Sequence, residues 1–180
     1  EAIRDGVFSV PDVSLAGILH TLADSGWGNI GHLWGTNPID EHSVTQAMVR
    51  GRKLVLEYER FYQNYVPGCK NARMLCTAST LGVRESRRII GEYTLTLDAF
   101  TSQAVFEDEI GRYAYPVDLH GTRPSADPLN EKNAAAEIFK NYRYKNPGES
   151  YGIPYRCLLP QNVDNLLVAG RCISTDRYMH

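Results

Sequence analysis

The chain has 180 residues, 43% hydrophobic and 22% charged, which suits an ordinary globular domain with a sizeable core. A formal charge of −2 argues against the electrostatic footprint of a nucleic-acid binder. No apolar run is long enough to span a bilayer, so neither nucleic acid nor membrane is expected as a partner.

Residues 1–33 carry the weakest patterns. Val7-Phe8-Ser9-Val10 reads as a short strand before Pro11, and residues 13–24 as a short helix capped by Asp12 or Ser14. Gly26-Trp27-Gly28-Asn29-Ile30-Gly31 matches the dinucleotide pattern GxGxxG. That fingerprint needs a buried strand before it and a helix opening within it. Thr21-Leu22-Ala23-Asp24-Ser25 is no such strand, and Gly35-Thr36-Asn37-Pro38 blocks a helix, so the stretch reads as a glycine-rich turn.

Residues 40–65 form the clearest predicted helix. Val44, Met48, Gly51, Val55, Tyr58, Tyr62 and Tyr65 recur at spacings of three and four on one face. Asp40 suits the N-cap, Glu41 suits the positive end of the helix, and Pro67-Gly68 stops it. The tyrosines read as core or interface, and His42 as a surface residue. Met74-Leu75-Cys76-Thr77-Ala78 reads as a buried strand within residues 71–80.

Then comes Gly82-Val83-Arg84-Glu85-Ser86-Arg87-Arg88-Ile89-Ile90-Gly91-Glu92-Tyr93, followed by the alternating Tyr93-Thr94-Leu95-Thr96-Leu97. Three arginines and two glutamates thus sit at the junction of two predicted strands. Burying guanidinium groups is costly unless each meets a carboxylate or an anion. Glu85 and Glu92 can serve some of the arginines. Two readings stay open: an anion site built on forked hydrogen bonds, or a self-satisfied salt-bridge network at a sheet edge.

Asp98 suits the cap of a helix running to about Ile110. Tyr113-Ala114-Tyr115-Pro116-Val117-Asp118-Leu119-His120 reads as a short strand, with Asp118 and His120 on one face. A carboxylate beside an imidazole suits proton transfer, and a surface pair at a strand end is the alternative. Residues 121–148 read as a loop excursion with a helical turn near residues 134–139. Residues 151–159 read as a strand, and Asn165-Leu166-Leu167-Val168-Ala169 as a buried parallel strand ending at Gly170. The four cysteines, Cys69, Cys76, Cys157 and Cys172, form no CxxC pair, which argues against a zinc site. Cys76, Cys157 and Cys172 lie in apolar segments and read as core thiols. A reduced, cytoplasmic setting is the default.

The arginine block resembles the signature of a family of FAD-dependent oxidoreductases, some members of which carry the label xanthan lyase. Tyr151-Gly152-Ile153-Pro154-Tyr155-Arg156-Cys157-Leu158-Leu159-Pro160 supports the resemblance. So does Asn162-Val163-Asp164-Asn165-Leu166-Leu167-Val168-Ala169-Gly170-Arg171-Cys172-Ile173-Ser174. The blocks stand in the family's order, and the likeness covers the chain from about Gly35 onward. It implies an α+β fold, a mixed or antiparallel sheet with packed helices, as the substrate-domain part of a two-domain FAD-binding (glutathione-reductase-like) fold. Residues 1–160 would be the substrate domain and residues 161–180 the returning strand of the FAD-binding Rossmann domain.

The resemblance further implies hydride transfer from a small or carbohydrate-like substrate to FAD. Arg84, Arg87 and Arg88 would fix an anionic group, Glu85 would orient one of them, and His120 with Asp118 would act as acid/base. Ala169, Gly170, Arg171, Ser174, Asp176 and His180 would lie along the cofactor, Gly170 by letting the backbone approach it. Many flavin folds place an acid straight after the glycine; here Arg171 stands there, so its role rests on this family alone. The chain starts at Glu1, without a methionine, and the glycine loop and ribose acid are not seen. It is therefore expected to be a middle-to-late fragment that holds FAD weakly or not at all by itself. Two rival functions are a polyanionic-polysaccharide lyase without redox chemistry and a non-catalytic binding domain using the 40–65 helix.

Overall fold

The apolar periodicity of residues 40–65 is realised as helix α1, Glu41–Tyr65, in a computed structural model that describes residues 1–12, 19–22, 24–119, 142–144 and 146–179. The described residues divide into two units, one up to Gly82 and the other from Val83 on. Each has one two-stranded antiparallel sheet; with the helices this is an α+β arrangement.

In the first unit, the Asp40 carboxylate accepts from the His42 N–H at 3.0 Å and caps α1. The helix ends where Val66 turns extended and Gly68 takes φ 87°. Tyr58 is the buried centre of the predicted face, while Val49 and Leu56, off that face, are exposed. Phe8 packs on Tyr58 at 5.0 Å and on Phe61 at 5.5 Å between ring centroids. Gly31, at φ 84°, lies so close to α1 that a Cβ there would sit 2.9 Å from Leu54 Cδ2.

Strand β1, Leu19–Leu22, pairs antiparallel with β2, Ser25–Trp27, with a register shift between His20 and Leu22. The helix predicted over 13–24 is therefore corrected for residues 19–22, whose backbone enters a ladder; residues 13–18 lie outside the described residues. The GxGxxG stretch begins inside β2, and no helix opens until Glu41. Residues 7–10 are irregular backbone and bend rather than strand. Residues 74–78 form no strand either, and Met74 and Leu75 are exposed.

The second unit is built on a core of Leu95, Ala99, Phe100, Val117, Tyr151, Cys157 and Met179. Helix α2, Leu97–Thr101, is much shorter than the predicted 98–110 helix. Ser102 turns its N–H and hydroxyl back to the Asp98 carbonyl, and Gln103 at φ 53° leaves the helical path. Glu109–Tyr113 becomes strand β3, paired antiparallel with β4, Tyr151–Pro154. After β4 the predicted strand gives way to a 3-10 turn, Tyr155–Cys157.

Residues 93–97 contribute a single parallel bridge, Leu95 to Thr175, rather than a strand. Residues 114–119 likewise form no ladder. Residues 165–169 are not a buried strand in this unit: Leu166 and Leu167 are about half exposed, and a 3-10 turn, Gly170–Cys172, follows. Cys157 is the core thiol expected, whereas Cys76 and Cys172 are exposed. The helical turn expected at 134–139 lies outside the described residues. Among the described residues no helix is long and apolar enough to cross a membrane.

Candidate functional site

The arginine block has no ladder of its own, so its backbone groups must find partners elsewhere. They find them in the other two sequence blocks. Ile89 N–H donates to the Cys172 carbonyl at 2.9 Å, Glu92 N–H to Leu159, and Tyr93 N–H to Arg156; Gln161 N–H donates to Ile90. Leu95 then bonds Ser174 and receives Asp176. The arginine segment thus meets, in one unit, two adjoining segments some seventy to eighty residues further along the chain. Gly91 sits at their crossing. A Cβ there would lie 2.7 Å from Ser174 Cβ and 3.2 Å from the carbonyl oxygens of Arg156 and Tyr93, so only glycine fits.

The arginines split into two groups. Arg84 donates to the Asp118 carbonyl at 3.1 Å and to its carboxylate at 3.4 Å, both side chains being about half exposed. Arg88 donates to Glu85 at 3.1 Å and to the Asp176 carbonyl at 3.4 Å. Arg87 is exposed and meets no acid among the described residues. Glu92 is also exposed and takes no arginine there. Two arginines are therefore tied within the chain, and one cation is left over for an external anion.

Asp118 is placed against Arg84, and His120 lies outside the described residues. On the 169–180 stretch, Ala169 leads extended into the 3-10 turn. Gly170 takes φ 76° with open space where a side chain would be. Arg171 is exposed, with no acid among the described residues. Ser174 and Asp176, by contrast, are engaged within the chain. Ser174 is 2% exposed, with its hydroxyl 3.0 Å from Thr94 Oγ1. The Asp176 carboxylate accepts from Leu97 N–H and Tyr178 N–H, both at 2.8 Å. His180 lies outside the described residues.

Sequence reasoning missed two long-range side-chain pairs. Arg156, inside the second block, forks onto Asp108 at 2.9 and 3.2 Å and lies 5.2 Å over the Tyr93 ring. The Arg156 hydrogen bonds hold the Asp108 carboxyl below its ordinary range. In the first unit, His32 Nδ1 is 2.7 Å from Asp12 Oδ2. No spacing rule joins residues 48 or 20 apart, so neither pair had a signal to find. Cys157, by contrast, is buried, and burial pushes its thiol up, away from the thiolate.

No curated protein and no solved structure matches the chain. The model of the FAD dependent oxidoreductase family, however, matches residues 12–180, which takes in all three blocks and both halves of the arginine site. The chain belongs to that family.

Proposed function

We propose that the protein takes a hydride from a small or carbohydrate-like substrate, with residues 1–160 on the substrate side and 161–180 returning the chain to an FAD-binding, glutathione-reductase-like Rossmann domain. FAD, when bound, accepts the hydride. The observation that carries the reading is the meeting of the three blocks at Gly91, within a family match over residues 12–180. It brings the arginine segment within hydrogen-bonding reach of the backbone next to Arg171.

The roles follow from what each side chain still has to offer. Gly170 and Arg171 would hold the anionic part of the cofactor, the glycine by close approach and the arginine by charge. Ser174 and Asp176 would support that segment from within. Arg87 would receive a negative group of the substrate, flanked by Arg84 and Arg88, each of which pairs with an acid. His120 is the proposed acid/base, with Asp118 setting its orientation.

The test is the visible spectrum of the protein expressed from its complete reading frame. A bound-flavin spectrum that substrate bleaches is expected. A protein still colourless after incubation with FAD would sink the reading. In the active protein, Arg87→Ala should raise KM about tenfold or more while kcat changes little, the loss of one charge-assisted hydrogen bond in ground and transition states alike.

A further inference from the structure

Helix α1 buries one side at Ala47 and Tyr58, and its opposite side has a pattern of its own. Val49, Lys53, Leu56 and Arg60 follow one another at four, three and four residues, so they share one strip, with Arg52 beside it. All five residues are exposed. Val49 and Leu56, 45% and 53% exposed, stand one heptad apart, about 10 Å along the helix axis.

The charge on this side has a single sign. From Val49 to the end of α1, every exposed charged residue is a cation: Arg50, Arg52, Lys53 and Arg60. Arg50 donates to the Thr36 hydroxyl at 3.3 Å. Among the described residues, Arg52, Lys53 and Arg60 meet no acid. The two glutamates of the same stretch lie off the strip and are engaged elsewhere. Glu57 stands four residues after Lys53, the spacing of a helix ion pair, yet it accepts the Ser9 N–H at 2.9 Å. Glu59 accepts from the Gln63 amide at 3.2 Å. The strip therefore presents two aliphatic side chains with unpaired cations on both sides of them.

We propose that this strip docks an acidic amphipathic helix of a partner protein, whose apolar residues lie on Val49 and Leu56 while its carboxylates pair with Arg52, Lys53 and Arg60. Two aliphatic side chains one heptad apart match the apolar repeat of a packed helix. The cations beside them select acids and, by steering, speed the encounter. A second copy of this chain is disfavoured, because a two-fold contact would set the same cations against each other. A lipid surface is disfavoured too, because the strip carries no Trp, Phe or Tyr to enter the acyl boundary. The inference stands apart from the flavin reading and needs no cofactor.

The protein expressed from its complete reading frame tests this by fluorescence anisotropy. The probe is a fluorescein-labelled helical peptide of Glu, Ala and Leu, with its leucines in a heptad stripe. It should bind, and more weakly as salt is raised. A polyglutamate peptide of equal charge lacks the apolar stripe and should bind at least about fivefold more weakly. Lys53→Glu combined with Arg60→Glu should lower the affinity for the helical peptide about tenfold or more. Leu56→Ala should lower it about threefold. These positions are exposed, so thermal unfolding should be unchanged in the variants. No binding, full affinity in the charge-reversed variant, equal affinity for polyglutamate, or tighter binding to phosphatidylserine vesicles than to the helical peptide would each overturn the proposal.

Discussion

The 41–65 helix and the arginine crossing are held together by opposite means. In α1 each backbone bond closes within four residues, the cap is two residues from its donor, and the buried face repeats along the chain. At the crossing, the bonds that fix residues 89–95 reach to residues 156–176. Local bonding spreads the effect of a change along a helix. Non-local bonding concentrates it at the few atoms where the segments touch, and there a substitution acts on all three segments together.

Gly91→Ala tests that contrast most severely. The added methyl would stand 2.7 Å from Ser174 Cβ, with backbone oxygens at 3.2 Å on two sides. Overpacking of this kind should destabilise by about 2–3 kcal/mol in urea denaturation. The clash partner is a Cβ, so Gly91→Ala combined with Ser174→Gly should lose less than the two single changes summed. Strict additivity would mean that the crossing is looser than described. On the helix, Asp40→Ala removes one cap bond and should cost about 1 kcal/mol by the same measurement.

The same contrast explains what the sequence made legible. The cap at Asp40, the stop at Gly68 and the face through Tyr58 follow from rules that operate within a few residues, and all three appear in the structure. The strands predicted at 74–78 and 165–169 rested on apolar runs alone. A run becomes a strand only where a partner strand supplies hydrogen bonds, and neither finds one among the described residues. The 98–110 helix stops at Thr101, where Ser102 closes on the Asp98 carbonyl and Gln103 leaves the helical path; only from Glu109 does a ladder with β4 take over. At the site, the arginine segment was legible as a charge cluster. Which arginines carry acids was legible only in part: Glu85 lies three residues from Arg88, whereas Asp118 comes from 34 residues beyond Arg84.

A smaller effect separates Asp108 from the ordinary carboxylates. Its hydrogen bonds from Arg156 depress its pKa in the folded chain, while the unfolded chain titrates in the usual range. A depressed folded value means the pair's contribution is complete above the ordinary carboxylate range. It fades as pH falls toward and through the lower folded value. Asp108→Asn should therefore flatten the acid limb of stability against pH and leave its slope near neutrality unchanged. An unaltered acid limb would show that the fork onto Arg156 is not populated in solution.

A smaller effect still should come from Arg84→Ala. The pair with Asp118 is long at 3.4 Å and about half exposed on both sides, so water and salt screen it. Its loss should change stability by less than about 0.5 kcal/mol, and raising the salt concentration should reduce even that difference. A larger loss would make the Arg84–Asp118 contact a structural brace of residues 84–88. Asp118 would then be committed to the arginine and poorly placed to orient His120. A negligible loss in stability, paired with a fall in turnover of the intact enzyme, is the outcome that keeps Arg84 in the site. Arg87 sharpens the reading further: with no acid among the described residues, its replacement should be silent in stability and visible only in KM.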